Sequence, residues 1–140
     1  MMAAYVPAAL RRQVRERAGE RCEYCLIPEA AVLAAHEIDH IIPEKHGRTT
    51  DEGNLAFSCA LCNKFKGSDL ASVDPETGDI VSLYHPRKDR WAEHFQLRAA
   101  ELVPLTPTGR ATIRGLRLND SARVEERRLL TMARMYLPPG

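Results

Sequence analysis

The spacing of apolar residues predicts a helix near the start of the chain. Leu10, Val14 and Ala18 recur every four residues, which places them on one helical face. Pro7 suits the first helical turn, and Gly19 suits the C-terminal cap. We therefore expect a short amphipathic helix between Pro7 and Gly19, with its apolar side packed on the core.

A longer helix is predicted near the end of the chain. Asp120 and Ser121 suit its N-cap, and Glu125 and Glu126 lie near its positive N-terminal end. We expect this helix to extend to about Leu137. Its apolar residues form one stripe, which we expect to face the core: Ala122, Leu129, Leu130, Ala133 and Leu137.

The middle of the chain predicts a strand, a loop, a second strand and a helix. Residues 36–42 are rich in β-branched side chains and favour a strand that Pro43 ends. Residues 44–53 are polar and contain two glycines, which is typical of a loop. Residues 55–58 predict the second strand, and a helix is expected over residues 59–70.

The remaining part alternates between turn and strand signals. Residues 74–79 form a strong turn signal, and residues 80–84 after it predict a strand. Residues 95–98 and 101–105 predict a hairpin. Residues 108–118 have helical character.

Length and composition are those of one globular domain. The chain has 140 residues, of which 44% are apolar and 28% charged. Because the net charge is only +1, binding to nucleic acid would require a local basic face. No apolar run approaches the roughly 20 residues of a membrane span, and the Ala-rich start lacks a basic leader before an apolar stretch. We therefore expect a cytoplasmic protein with no signal peptide and no membrane contact.

All four cysteines fall into two Cys-x-x-Cys pairs. The pairs are Cys22/Cys25 and Cys59/Cys62, and 33 residues separate Cys25 from Cys59. Thiolates at this interval can bind one metal ion from a tight turn, and in a reducing compartment such pairs bind metal more often than they form disulfides. We predict one structural Zn²⁺, closed to substrate by four thiolates. Two disulfides, four unrelated thiols or a redox pair are the alternatives.

A carboxylate, an imidazole and an amide lie close to these pairs in the sequence. Asp39-His40 stands between the pairs, and Asn63 follows Cys62. Aspartate and amide oxygens suit a hard cation such as Mg²⁺ or Mn²⁺, and histidine suits a base near neutral pH. Neighbours on a regular strand point to opposite sides, so Asp39 and His40 can serve one site only if the strand bends or ends there. Pro43 favours such an end.

The order of these residues resembles the HNH endonuclease family. The resemblance covers about residues 21–67 and includes Asp39-His40-Ile-Ile-Pro, Asn54 and Cys62-Asn63. It implies an α+β fold with a ββα-metal (His-Me finger) core, braced by a zinc site of four cysteines and extended by C-terminal strands and helices. One departure is the central loop, where His46-Gly47-Arg48 stands in place of the Gly-Gly pair of many members.

This resemblance also implies the domain organisation. We expect a single nuclease domain over residues 1–140. Its motif core would span about residues 21–70, and an extension over about residues 80–140 would pack on that core.

Four residues receive roles from the resemblance. His40 matches the general base, while Asp39 and Asn63 match the ligands of a catalytic divalent cation. Asn54 matches the asparagine that braces the loop and orients the histidine. The implied reaction is in-line attack of water on phosphorus, which leaves a 5′ phosphate, and the usual substrate is DNA.

Five basic side chains are candidates for contact with the nucleic-acid backbone: Lys64, Lys66, His46, Arg87 and Arg90. Such residues are also common on faces that contact only solvent. Three other histidines stay open between packing and functional roles: His36, His85 and His94.

The predicted function is a metal-dependent endonuclease that hydrolyses phosphodiester bonds of DNA. Its cofactors would be structural Zn²⁺ and catalytic Mg²⁺ or Mn²⁺. The main alternative is a non-catalytic zinc module that binds nucleic acid or protein, and a narrower one is an enzyme directed at modified DNA. The sequence leaves the oligomeric state open.

Overall fold

Five helices and six strands, joined by short 3₁₀ turns and loops, form the part of the chain that the computed structural model describes, residues 5–136. In chain order they are α1 (Ala8–Arg17), β1 (Glu37–His40), β2 (Leu55–Ser58), α2 (Ala60–Lys66), β3 (Ala71–Val73), β4 (Ile80–Ser82), α3 (Trp91–His94), β5 (Phe95–Arg98), β6 (Glu101–Pro104), α4 (Pro107–Gly115) and α5 (Ser121–Met132). No helix within this part combines the length and apolar character that crossing a membrane requires.

The strands form three small antiparallel sheets of two strands each: β1–β2, β3–β4 and β5–β6. The mixed helix and strand content predicted from the sequence is therefore confirmed. The predicted order of strand, loop, strand and helix is also present, as β1, residues 41–54, β2 and α2.

The β1–β2 hairpin separates two layers of packing. Paired residues of an antiparallel ladder share a face, so Ile38 and Phe57 lie on one face and Asp39 and Ala56 on the other. Helix α1 covers the first face, where its fully buried Val14 joins a cluster with Phe57. The apolar stripe that the four-residue spacing predicts for α1 is therefore buried against the hairpin face that carries Ile38 and Phe57.

The opposite face of the hairpin is covered by α2. The Asn63 side chain of α2 contacts Glu37, and the Lys66 side chain contacts Asp39. Glu37 and Asp39 are two positions apart on β1, which is the period that puts both on one face. Helix α2 therefore lies against the carboxylate-bearing face of β1.

The C-terminal elements contact the first Cys-x-x-Cys turn. Trp91 Nε1 donates to the carbonyl oxygen of Tyr24 at 2.9 Å. Tyr136 Oη donates to the carbonyl oxygen of Cys25 at 2.6 Å. These two bonds tie the start of α3 and the chain after α5 to the same turn.

Helix α2 is shorter than predicted, and a strand follows it. The helix ends at Lys66 instead of continuing to Leu70, because Gly67 adopts a positive φ of 51° that closes the last turn. Residues 71–73 then form β3, which pairs with residues 80–82 of β4. The sequence did not predict β3, because this short stretch has no clear alternation of apolar and polar residues.

The inner face predicted for α5 is wrong except at Leu130, which packs against the core. The side chains that α5 buries are Arg123 and Arg127, whereas Leu129 of the predicted stripe is 52% exposed. Both guanidinium groups reach acceptors in the interior, so several of their donors are satisfied when they are buried. The helix also ends at Met132, and Leu137 lies outside the described residues.

Candidate metal centre and candidate active site

The four cysteines converge on one point. Their sulfur atoms all lie within 4.8 Å of one another, and all four residues are buried and free of disulfides. The Sγ atoms of Cys25 and Cys59 are 3.7 Å apart. A tetrahedral zinc ion with Zn–S bonds of about 2.3 Å requires sulfur–sulfur edges of about 3.8 Å. The cluster therefore fits one zinc ion with four thiolate ligands.

Both Cys-x-x-Cys turns aim backbone N–H groups at sulfur. The amides of Tyr24 and Cys25 donate to Cys22 Sγ at 3.4 Å. The amide of Cys62 donates to Cys59 Sγ at 3.4 Å, in the N-cap position of α2. Donors in this arrangement stabilise negative charge on sulfur, which metal binding requires.

The protein surroundings shift the pKa values of the four thiols in opposite directions. Burial raises the pKa of the Cys22 and Cys62 thiols. Hydrogen bonds from Cys22 lower the pKa of Cys25 and Cys59. A bound divalent cation would favour the thiolate form of all four cysteines at once.

Asp39 lies in the interior on the α2 face of the hairpin. The Tyr24 hydroxyl donates to its Oδ2 at 2.7 Å, and the Lys66 ammonium lies 3.2 Å from both carboxylate oxygens. Burial raises the pKa of Asp39 above its ordinary value, and Lys66 and Tyr24 oppose that rise. A carboxylate offers about four acceptor positions, and these contacts use three of them. These contacts therefore leave one acceptor position of the Asp39 carboxylate unused.

Lys66 is a buried cation, which corrects the prediction that it contacts phosphate. Its Nζ atom donates to Asp39, to the His40 carbonyl oxygen at 3.2 Å and to the Ile41 carbonyl oxygen at 3.1 Å. The residue is 2% exposed. All three donors of the ammonium are thus used inside the protein, and the charge faces Asp39 rather than solvent.

His40 occupies the last position of β1 and is half-buried. Its Nε2 atom is 2.8 Å from the Thr50 hydroxyl. Its register partner is Leu55, so the imidazole lies on the α1 face of the hairpin, opposite the Asp39 carboxylate. Within residues 5–136, the Nδ1 atom has no partner. In the tautomer whose Nε2–H donates to Thr50, Nδ1 is the unpartnered acceptor of the ring.

The buried Asn54 side chain braces the loop that carries Thr50. Its Oδ1 accepts from the Ile42 amide at 2.9 Å, and its Nδ2 donates to the carbonyl oxygens of Ile42 at 2.8 Å and Thr49 at 3.1 Å. The Asn54 carbonyl oxygen accepts from the Ile41 amide at 2.9 Å. These bonds tie the end of the loop at Asn54 to its start at Ile42. They also hold Thr49, which directly precedes Thr50, the residue that contacts His40.

Asn63 and Glu37 form a polar pair at the edge of α2. Asn63 Nδ2 donates to Glu37 Oε2 at 2.9 Å, and the Asn63 Oδ1 atom has no partner in the described part of the chain. Glu37 is exposed and shares its strand face with Asp39. The sequence reasoning overlooked Glu37, although the two-residue alternation with Asp39 could have identified it. A carboxylate and a free amide oxygen therefore stand next to the Asp39 position.

Three of the predicted phosphate contacts are exposed. The Lys64 ammonium lies 5.7 Å from the centroid of the Phe65 ring. The side chains of His46 and Arg90 have no hydrogen bond or ion pair in the region that the structure describes. These three side chains remain candidates for contact with nucleic acid.

Arg87 is not a free surface cation, which corrects a second prediction. Its guanidinium forms an ion pair with Glu23, and its exposed fraction is 17%. Burial lowers the pKa of Arg87 to about 10. The charge that the basic run 87–90 offers to solvent therefore comes from Lys88 and Arg90.

A cleft of about 360 Å³ opens beyond the end of β1. Its lining includes Ile41, Ile42, His85 and Lys88. His85 Nδ1 accepts from two backbone amides, so the other ring nitrogen carries the proton. The cleft therefore combines the exposed Lys88 and the His85 ring with the carboxylates of Asp69 and Asp89, close to the strand end that carries His40.

The other two histidines take packing positions. His36 Nε2 lies 2.9 Å from the Ile27 carbonyl oxygen, and its ring packs on Phe57. His94 Nδ1 lies 2.6 Å from the Thr106 hydroxyl. These contacts tie both rings to their own surroundings rather than to the site around His40.

Comparison with known proteins adds one finding about this arrangement. No curated protein and no solved structure matches the chain. Residues 22–69, which hold both cysteine pairs, the β1–β2 hairpin and α2, match the family model of the HNH endonuclease, so the resemblance predicted from the motif is confirmed for this segment.

Proposed function

We propose that this chain is a metal-dependent endonuclease that hydrolyses phosphodiester bonds of DNA. The supporting observation is the His40 imidazole, which is held at Nε2 by Thr50 and open at Nδ1. The loop that positions it is braced by the buried Asn54 amide. The match of residues 22–69 to an endonuclease family gives this histidine its chemical context.

His40 acts as the general base in this proposal. Its Nδ1 atom takes a proton from a water molecule as the water oxygen attacks phosphorus. The P–O bond to the 3′ oxygen then breaks, and the phosphate stays on the 5′ end. The Thr50 contact keeps the ring oriented during the proton transfer.

Asp39, Asn63 and Glu37 would hold the divalent cation on the other side of the strand end. Their donor set consists of two carboxylates and one amide oxygen, which suits Mg²⁺ or Mn²⁺. Such a cation stabilises negative charge on the phosphoryl oxygens and the departing oxygen. Because Asp39 and His40 lie on opposite faces of β1, the proposal requires the phosphate to bind across the end of the strand, where the ladder stops at the His40–Leu55 pair.

The structural Zn²⁺ would take no part in the reaction. Four thiolates complete its tetrahedral coordination and leave no position for water or substrate. Its role is to hold the turn before β1 against the start of α2, which sets where Asn63 and Lys66 meet the hairpin.

The DNA backbone would contact exposed cations around this site. Lys64, His46 and Arg90 remain the proposed contacts, and Lys88 joins them because it lines the cleft beyond β1. Lys66 is left out of this set because of its buried ion pair with Asp39, and Arg87 because of its partly buried ion pair with Glu23.

Plasmid cleavage tests the proposal. Zinc-loaded wild type should nick supercoiled plasmid when Mg²⁺ or Mn²⁺ is added, and His40→Ala should lose at least about a hundredfold of that rate. Glu44→Ala is the matched control, since it removes an exposed side chain of the loop after β1 that has no proposed role in catalysis or DNA binding, and it should keep most activity. Equal cleavage by wild type and His40→Ala would overturn the proposal, as would no cleavage of DNA by wild type across divalent cations.

A non-catalytic zinc module that binds nucleic acid is the second candidate. It is favoured by one observation, the ion pair through which Lys66 already neutralises the Asp39 carboxylate. Salt-sensitive DNA binding by wild type, with no cleavage in any divalent cation, would establish this alternative.

A further inference from the structure

A buried arginine of α5 contacts the cysteine cluster. Arg123 is 6% exposed, and its guanidinium donates to Cys62 Sγ at 3.0 Å, with Cys59 Sγ at 3.8 Å. The other terminal nitrogen donates to the Leu116 carbonyl oxygen at 2.7 Å and lies 3.4 Å from that of Arg117. The guanidinium is thus wedged between the end of α4 and the second Cys-x-x-Cys turn.

Arg123 has no carboxylate partner among residues 5–136. Its acceptors there are two carbonyl oxygens, which carry no net charge, and two cysteine sulfurs. A buried cation without an opposite charge is strongly unfavourable. The sulfurs can supply that charge only as thiolates, and they are all thiolates when a metal ion binds them.

A zinc ion with four thiolates would carry buried negative charge that also lacks a partner. Zn²⁺ with four thiolates carries a net charge of about −2, and the four ligands are buried. Outer groups that hydrogen-bond metal ligands commonly change metal affinity by about 10- to 100-fold. We propose that Arg123 is the counter-ion of the zinc tetrathiolate, so that α5 sets how tightly the core retains zinc.

The cleft next to the cluster gives this role a kinetic consequence. The residues that line a cleft of about 250 Å³ include Cys25, Cys59, Arg123 and Arg127. This cleft provides a route by which a chelator reaches the sulfurs. Removing the Arg123 guanidinium should destabilise the zinc tetrathiolate, so zinc should leave faster; because Arg127 lines the same cleft, its replacement controls for any widening of the route.

Arg127 offers a matched control one helical turn further along α5. It is 2% exposed, and its guanidinium donates to the Ala100 carbonyl oxygen at 2.8 Å and to Asn119 Oδ1 at 3.0 Å. Neither of these hydrogen bonds reaches a sulfur atom. Arg127→Met should therefore destabilise the same helix without removing a donor from the zinc ligands.

Competition with a chromophoric zinc chelator measures the effect directly. Arg123→Met should weaken zinc binding by about 10- to 100-fold and speed its release, and Arg123→Lys should recover part of the loss because it keeps the charge. Arg127→Met should change zinc affinity far less than Arg123→Met. If Arg123→Met does not fold, the zinc affinities of Arg123→Lys and Arg127→Met are compared instead.

Cobalt substitution separates a direct contact from a general loss of stability. The thiolate-to-Co²⁺ charge-transfer band should shift in Arg123→Met and stay in place in Arg127→Met, because only the first removes an N–H···S bond. Wild-type zinc affinity in Arg123→Met, an equal loss in both arginine variants, or an unshifted band would overturn the inference. These readouts require no cleavage, so they are independent of whether the chain is a nuclease.

Discussion

The Lys66 ammonium lies 3.2 Å from both oxygens of the Asp39 carboxylate, and both side chains are buried. A carboxylate that was predicted as a metal ligand is therefore charge-paired within the protein. A divalent cation at Asp39 would share the carboxylate with this ammonium, and the same pair fixes α2 against β1.

Lys66→Met should destabilise the protein by about 3–5 kcal/mol, because it leaves the buried Asp39 carboxylate without its opposite charge. Lys64→Met is the control, since Lys64 is exposed on the same helix and its loss should cost less than about 0.5 kcal/mol. Urea unfolding of the zinc-saturated variants measures both. A small and equal effect in the two variants would show that Lys66 is not a structural cation.

Asp39→Asn should recover part of the stability that Lys66→Met loses, because it removes the charge that was left unpaired. The double variant is then more stable than the sum of the two single losses predicts. Additive losses in this double-mutant cycle would contradict the pairing.

Asn54→Ala should unfold the loop before it unfolds the core. Three backbone groups of Ile42 and Thr49 lose their partners, which costs on the order of 3 kcal/mol if water does not replace them. Hydrogen exchange should rise in residues 42–53 while the amides of β2 stay protected. Unchanged exchange in the loop would refute the bracing role.

Thr50→Val tests whether the Thr50 hydroxyl orients His40 for catalysis. It removes the hydroxyl 2.8 Å from His40 Nε2 and keeps the size of the side chain. If His40 is the base, the turnover rate should fall by about 10-fold or more, while the KM for plasmid changes little. A rise in KM at constant kcat would instead place Thr50 in substrate binding.

Glu37→Gln tests the carboxylate that lies beside Asn63. We expect it to raise the Mn²⁺ concentration at half-maximal cleavage by about 10-fold, because a neutral amide binds a hard cation more weakly. Glu44→Gln is the control, since Glu44 is exposed on the loop outside the α2 interface. The same Mn²⁺ dependence in wild type and Glu37→Gln would remove Glu37 from the cation site.

Removal of zinc should unfold the core around the cysteines. A structural zinc ion in small domains contributes about 10–16 kcal/mol of binding, which equals or exceeds the total stability of a typical domain, about 5–15 kcal/mol. Purified protein should contain one zinc per chain, and its four thiols should react with a thiol reagent only after a chelator is added. Thiols that react freely in zinc-loaded protein would contradict the site.

The sequence by itself determined the parts that depend on short-range order. The two-residue interval within each cysteine pair, the strand signal that Pro43 ends and the Asn63 next to Cys62 were all readable, because turns and strands follow from neighbouring residues. The convergence of the four sulfurs and the family match of residues 22–69 agree with that reading.

Only the tertiary structure decided the place of the long cationic side chains. Lys66, Arg87 and Arg123 look in the sequence like ordinary surface charges, yet each is turned inward by a partner far away in the chain: Asp39, Glu23 and Cys62. A long side chain reaches several positions from one backbone site, so its burial depends on whether packing brings an acceptor within reach. Which cations can meet a substrate and which hold the core together is therefore set by long-range contacts, which local spacing does not encode.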